Sequence, residues 1–132
     1  MKNNTLANEN KILIVDDDKN VRSFLERYLK QKGYSQIQSV ESGLDALKVM
    51  QEDNIKLVLL DIRLPDMNGV DVLRKIKSLN KNISVIMITA YPEEAIAKDA
   101  LKEGACDYII KPFDLTHLKS TLHDKIIACK QY

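Results

Sequence analysis

Six polar residues follow directly on short apolar runs: Asp16, Asp17 and Asp18 after residues 12–15, Asp61 after 57–60, Thr89 after 85–88 and Lys111 after 108–110. Carboxylates brought within a few ångström of one another repel and raise one another's proton affinity unless a cation sits among them. The oxygens on offer are hard and no His or Cys accompanies them, which favours Mg2+, an ion that takes one or two carboxylates, keeps several waters and pairs with a phosphate oxygen. Lys111 then serves the phosphate rather than the metal. An acidic turn after a strand is also an ordinary solvated loop or helix cap, and Asp16 to Asp18 alone leave that reading open. Asp61 and Lys111, arriving from separate runs, favour a shared site.

The elements that must position these groups are legible in the apolar pattern. Residues 12–15, 57–60 and 85–88 are continuous and rich in branched side chains, the signature of parallel strands covered on both faces, and 37–40 and 108–110 complete a set of five. Val21, Phe24, Leu25, Tyr28 and Leu29 recur at helical spacing and stop at Gly33. Ser42, with Asp45 three positions on, caps a second helix through Leu47 and Met50, and Val70, Leu73, Ile76 and Leu79 form a third stripe after a loop punctuated by Pro65 and Gly69, where Gly69 is expected to supply conformational freedom. A fourth helix over 93–102 has only Ile96, Ala100 and Leu101 to bury before Gly104. Asp114 caps a fifth, with Leu115, Leu118, Leu122 and Ile126 on one face. Strands alternating with helices predict right-handed βαβ units in a doubly wound α/β sheet, whose ligands bind beyond the carboxyl ends of the strands.

Composition narrows the function classes. The 132 residues make one domain of ordinary hydrophobicity, 45%, and 20 Lys plus Arg against 19 Asp plus Glu leave a net charge of +1. No global field recruits nucleic acid or an anionic membrane. No apolar run approaches the roughly 20 residues that span a bilayer, and the Asn-rich residues 1–10 lack the apolar core of a signal sequence, predicting a disordered cytoplasmic tail ahead of a domain over 11–128. Cys106 and Cys129 form no C-x-x-C pair and no zinc pattern, so they are expected to be separate, buried or half-buried thiols.

Ile-Leu-Ile-Val-Asp16-Asp17-Asp18, Asp61-Ile-Arg-Leu-Pro65-Asp-Met67-Asn-Gly69, Thr89-Ala90 and Lys111-Pro112-Phe113, in this order and spacing, resemble the receiver domain of bacterial two-component response regulators, including chemotaxis-type and sporulation-phosphorelay receivers. The resemblance runs from about Lys11 to Ile127. It implies the (βα)5 flavodoxin-like fold with strand order 2-1-3-4-5. It makes Asp61 the phosphoacceptor, taking a phosphoryl group from a phosphohistidine on a sensor histidine kinase or histidine phosphotransferase. Asp17, Asp61 and the Arg63 backbone carbonyl would hold Mg2+ directly and Asp16 mainly through water, while Asp18 would not coordinate. Lys111 would pair with phosphoryl oxygens and Thr89 would hydrogen-bond them after transfer.

The resemblance also implies a cis peptide between Lys111 and Pro112 and a switch in which Thr89 moves inward, Tyr108 follows, and the face of helix four, strand five and helix five changes. Ala90 would leave room beside the phosphate, Arg63 and Tyr91 would shield it from water, and Asn20, Arg22 and Ser23 would help select the partner. The output is either a stand-alone receiver's partner or an attached domain of a longer transcriptional regulator, with the receiver monomeric or dimerising on phosphorylation and binding neither nucleic acid nor membrane itself. The alternative is a Mg2+-dependent phosphohydrolase with an aspartyl nucleophile. That class resembles the haloacid dehalogenases and requires an acid two residues beyond the nucleophile, where this chain has Arg63. A flavin binder of related fold needs a neutral phosphate loop after strand one, and Asp16 to Asp18 would repel the phosphate.

Overall fold

The computed structural model describes residues 11–90, 94–111 and 115–130, without the side chains of 89, 94, 115–121 and 130. Five strands and five helices alternate: β1 (Ile12–Val15), α1 (Lys19–Gln31), β2 (Ile37–Val40), α2 (Gly43–Glu52), β3 (Leu57–Asp61), α3 (Gly69–Leu79), β4 (Ser84–Thr89), α4 (Glu94–Lys102), β5 (Asp107–Ile110) and α5 (Leu115–Lys130). The strands pair in parallel in the order β2-β1-β3-β4-β5, as the resemblance implies. The chain therefore winds outward in both directions from β1, and its topological switch lies between β1 and β3.

Side-chain alternation across the central strands builds two cores. Leu13, Val15, Val58, Leu60, Val85 and Met87 face α2, α3 and α4, whose Ala46, Val49, Val72, Leu73, Ile76 and Ala100 cover them. Ile12, Ile14, Leu57, Leu59, Ile86 and Ile88 face α1 and α5, meeting Leu25, Leu29, Leu122 and Ile126. All four residues of β1 are fully buried, which is why a continuous apolar run serves there. Each such side chain contributes roughly 1.5–3 kcal/mol of burial. The edge strand β2 is only half-buried.

The helix boundaries follow their caps. Asp18 accepts from the Asn20 N–H, Ser42 from the Asp45 N–H and Asn68 from the Val70 N–H. Gly33 (φ 97°) and Gly104 (φ 111°) turn the chain after α1 and α4 in the left-handed region that glycine tolerates. In α4 the buried pair is Ala97 and Ala100, with Leu101 40% exposed, so the helix is anchored by smaller side chains than the stripe predicts. Residues 1–10, Tyr91, Pro112 and Asp114 lie outside the described residues, as do the side chains of Leu115 and Leu118.

Two expectations are corrected. Cys106 and Cys129 are not separate thiols: they form a disulfide, Cα atoms 5.9 Å apart, because Cys106 enters β5 where the last turns of α5 pack against it. Their separation of 23 residues hides this pairing from any local pattern. Gly69 is not needed for a positive φ. Its N–H donates to the Ile62 carbonyl at 2.7 Å, and an added Cβ would lie 2.6 Å from the Ile62 Cα and collide with the Asp61 carbonyl. A backbone cannot move aside as a flexible side chain can. Gly69→Ala is therefore expected to destabilise the fold by about 1–3 kcal/mol in urea denaturation, and a variant as stable as the parent would show that the loop yields freely.

Candidate functional site

The acidic site is assembled by strand ends. β1 delivers Asp16 and Asp17, β3 ends on Asp61, and β5 leads into Lys111. Asp16 is fully buried, Asp61 is 4% exposed and Asp17 is exposed. One oxygen from each of the three lies within 4.8 Å of the others. Lys111 Nζ stands 2.8 Å from Asp16 Oδ2 and 3.2 Å from Asp61 Oδ2, with its side chain 16% exposed. One ammonium thus bridges two buried carboxylates.

Backbone groups hold the carboxylates in place. The Asp18 N–H donates to Asp16 Oδ1 at 2.9 Å, and the Arg63 N–H donates to Asp61 Oδ1 at 3.1 Å. Asp18 itself turns away to cap α1, consistent with its expected exclusion from the cluster. Arg22 reaches back from α1, and its Nη1 donates to the Asp16 carbonyl at 2.8 Å. The resemblance implies a partner-selecting role for Arg22 beside Asn20 and Ser23; the fold gives its half-buried guanidinium this further contact.

The loop between β3 and α3 is held at two more points that spacing did not reveal. Arg63 and Asn68 form an isolated antiparallel bridge. Asp66 accepts from the Gly43 N–H at 2.9 Å and the Leu44 N–H at 3.0 Å, so it caps α2 from another element. Those hydrogen bonds hold its carboxyl below the usual range. Pro65-Asp66 reads as loop punctuation in sequence, and the tertiary cap has no local signal. The side chain of Arg63 is exposed, as is Ala90. Thr89 ends β4 opposite Ile110. Tyr108 is half-buried against the core beneath α2, α3 and α4.

The electrostatics favour a further cation. Burial and the neighbouring Asp16 push Asp61 up to about 6, against the pull of the Arg63 N–H and Lys111. Burial works against the Lys111 charge, yet Asp16 and Asp61 together hold its ammonium above the ordinary lysine value. Asp16 Oδ2 is buried without an aligned hydrogen bond, its contact with Lys111 being an ion pair. Three carboxylates, an underused buried oxygen and no soft donor fit Mg2+.

The sign of the resulting pH dependence is fixed. A carboxyl whose folded value rises from 3.8 to about 6 contributes stability below about pH 4 that is lost as pH climbs through about 6. Asp61→Asn removes that loss. In chelator at pH 7.5 the variant is expected to be about 1–3 kcal/mol more stable than the parent, with the gap closing at pH 4 and narrowing when Mg2+ is added. Denaturant titrations at both pH values check this, and a parent at least as stable as the variant at pH 7.5 would refute the strain.

Comparison with known proteins agrees with this arrangement. The family model of the response regulator receiver domain matches residues 12–123. Sporulation initiation phosphotransferase F of Bacillus subtilis is 36% identical over 112 residues, covering 85% of this chain and 90% of that protein. The transcriptional regulatory protein ZraR of Escherichia coli is 42% identical over 117 residues, covering 89% of this chain but 26% of ZraR, so the chain spans about a quarter of that longer relative. Among solved structures, the response regulator TrrA of Thermotoga maritima in complex with Mg2+ and BeF superposes with a TM-score of 0.76 at 33% identity, covering 88% of this chain and 98% of that one. The motifs, the 2-1-3-4-5 sheet and the buried acidic cluster have one common account: the chain belongs to the response regulator receiver domain family of two-component signal transduction.

Proposed function

We propose that Asp61 is the phosphoacceptor, taking a phosphoryl group from the phosphohistidine of a sensor histidine kinase or a histidine phosphotransferase. The observation that carries this is the placement of Asp61: buried at the end of β3, within reach of Asp16 and Asp17, and ion-paired to Lys111 at 3.2 Å. A carboxylate oxygen of Asp61 attacks phosphorus, the P–N bond to the imidazole breaks, and the leaving nitrogen keeps the electron pair. Above about pH 6 Asp61 carries the lone pair this step needs. Asp16, Asp17, Asp61 and the Arg63 carbonyl would hold Mg2+, which when bound supplies charge neutralisation for the carboxylates and the transferring group.

This chain's own residues do the positioning. The Arg63 N–H fixes Asp61 Oδ1 and leaves the other oxygen to face Lys111. On transfer, Lys111 exchanges carboxylate contacts for phosphoryl oxygens without leaving its place. Thr89, at the end of β4, supplies a hydroxyl to the product, and Tyr108 follows it inward. The change reaches the face of α4, β5 and α5, which signals to an output protein or an attached output domain, as a monomer or a phosphorylation-dependent dimer. Ala90 leaves room beside the product. The cis peptide that the resemblance implies between Lys111 and Pro112 would aim the ammonium.

The family is one of regulatory phosphoacceptors. We read this chain as acting only on itself, since Arg63 stands where an aspartyl phosphohydrolase would need an acid. Among the described residues no helix is long and apolar enough to cross a membrane. The proposed setting is the cytoplasm, with the receiver occupying 11–128 and touching no nucleic acid directly.

Intact mass after incubation with acetyl phosphate tests the acceptor. A gain of one phosphoryl group that requires Mg2+ and disappears in Asp61→Asn is expected; gain in both proteins would mean a different acceptor. Arg63 and Tyr91 are proposed to shield the acyl phosphate. Loss of phosphate from Tyr91→Ala is accordingly expected to run about 3- to 10-fold faster than in the parent, and an unchanged half-life would remove Tyr91 from this role.

A further inference from the structure

The opposite end of the sheet carries chemistry that phosphoryl transfer does not use. There the Cys106–Cys129 disulfide joins the entry of β5 to the last turns of α5. Cys106 is exposed, while Cys129 is 5% exposed within the core beneath α1 and α5. Beside the pair lies a cavity of about 250 Å³, lined by both cysteines together with Lys77, Lys81, Asn82 and Ser84. Lys77 Nζ donates to the carbonyls of Lys81 at 2.8 Å and Ile83 at 2.9 Å, and an ammonium has a third N–H to offer. Lys81 is exposed at the rim. The lining residues bear two ammonium groups and no carboxylate.

An exposed cysteine bonded to a buried one, both lining a cationic cavity, has the features of an exchange site. We propose that Cys106–Cys129 is a reversible thiol–disulfide exchange site whose cavity admits a small thiol bearing carboxylates. The incoming thiolate attacks Cys106 Sγ, forms a mixed disulfide there and expels Cys129 as thiolate, which takes a proton from water. A second thiolate attacks the sulfur of the bound small molecule, releasing its symmetric disulfide and the Cys106 thiolate. In reverse, the small-molecule disulfide is the two-electron oxidant: Cys106 is capped first, and Cys129 displaces the cap.

The consequence is mechanical. In the disulfide form α5 is joined covalently to the strand that carries Tyr108 and leads to Lys111. With that bond opened, α5 would be left to its core packing through Leu122 and Ile126, to the Lys125–Asp107 pair, 2.8 Å in this structure, and to the Ser84 hydroxyl, which here donates to the Cys129 carbonyl at 3.2 Å.

The test equilibrates the whole chain with mixtures of glutathione and its disulfide, traps free thiols by alkylation and reads intact mass. Reversible interconversion of dithiol and disulfide forms is expected. In Cys129→Ser one tripeptide should add to Cys106, at least about 10-fold faster than to Cys129 in Cys106→Ser. Since cysteine variants can fold poorly, Lys81→Glu supplies a surface probe. It should slow reduction by anionic glutathione about fivefold at low salt and leave reduction by neutral 2-mercaptoethanol within about twofold of the parent. Two alkylatable thiols in every mixture, preferential capping of Cys129, or an equal effect of Lys81→Glu on both reductants would each overturn the proposal. Asp61→Asn keeps both cysteines and the cavity and should still interconvert reversibly between dithiol and disulfide, so failure of the acceptor reading and failure of this one are separable.

Discussion

The geometry around Asp61 depends on one electrostatic conflict: two carboxylates, Asp16 and Asp61, are buried together with one lysine between them. Solvent would relieve that repulsion cheaply, and the fold withholds it. Lys111 compensates only in part, which is why burial and Asp16 still lift Asp61 to about 6. The site is poised to favour added positive charge, and in the proposed transfer the phosphoryl oxygens take over carboxylate contacts with the same ammonium. A neutral Asn or an extra lysine at these positions would relax the conflict and leave less reason for either to bind.

Holding such a cluster requires rigid supports, and these come from the backbone. β1 and β3 are neighbours in the sheet, so the ends carrying Asp16 and Asp61 are fixed by the Ile12–Leu57 to Val15–Leu60 register rather than by side-chain choice. The loop after Asp61 is then clamped from three directions: Gly69 against Ile62, Asn68 against Arg63, and Asp66 on the first turn of α2. That last contact makes the loop's position depend on α2 as well as on its own strand. The Arg63 N–H, which orients Asp61 Oδ1, is set within this clamp.

What was legible in the sequence divides along the same line. Continuous apolar runs marked the central strands because they are buried on both faces, and helical stripes ending at Gly33 and Gly104 marked the crossovers. Asp16, Asp61 and Lys111 were legible because a parallel sheet brings strand ends to one edge whatever the loops between them do. Contacts set by packing between distant segments were not legible. Asp66 on α2 and Cys106 with Cys129 join residues whose proximity exists only once the layers are stacked, and Arg22 meets the Asp16 carbonyl only through the turn geometry between β1 and α1. Gly69 is legible as a special position in the loop, but steric room rather than φ is what it supplies.

β5 connects the two ends of the molecule. Cys106 precedes it, Tyr108 lies within it and Lys111 follows it, so disulfide, proposed switch residue and site cation occupy one short extended segment. It is hydrogen-bonded along one side to β4, and the Cys106 N–H continues the ladder to Val85 at 2.7 Å, so the same backbone run joins the two ends. Its other edge has no strand partner among the described residues. Charge rearrangement at Lys111 and covalent constraint at Cys106 therefore act on the same element from opposite ends. Any ligand that binds one position of β5 better than another changes the work required at the far end by the same free energy, in both directions.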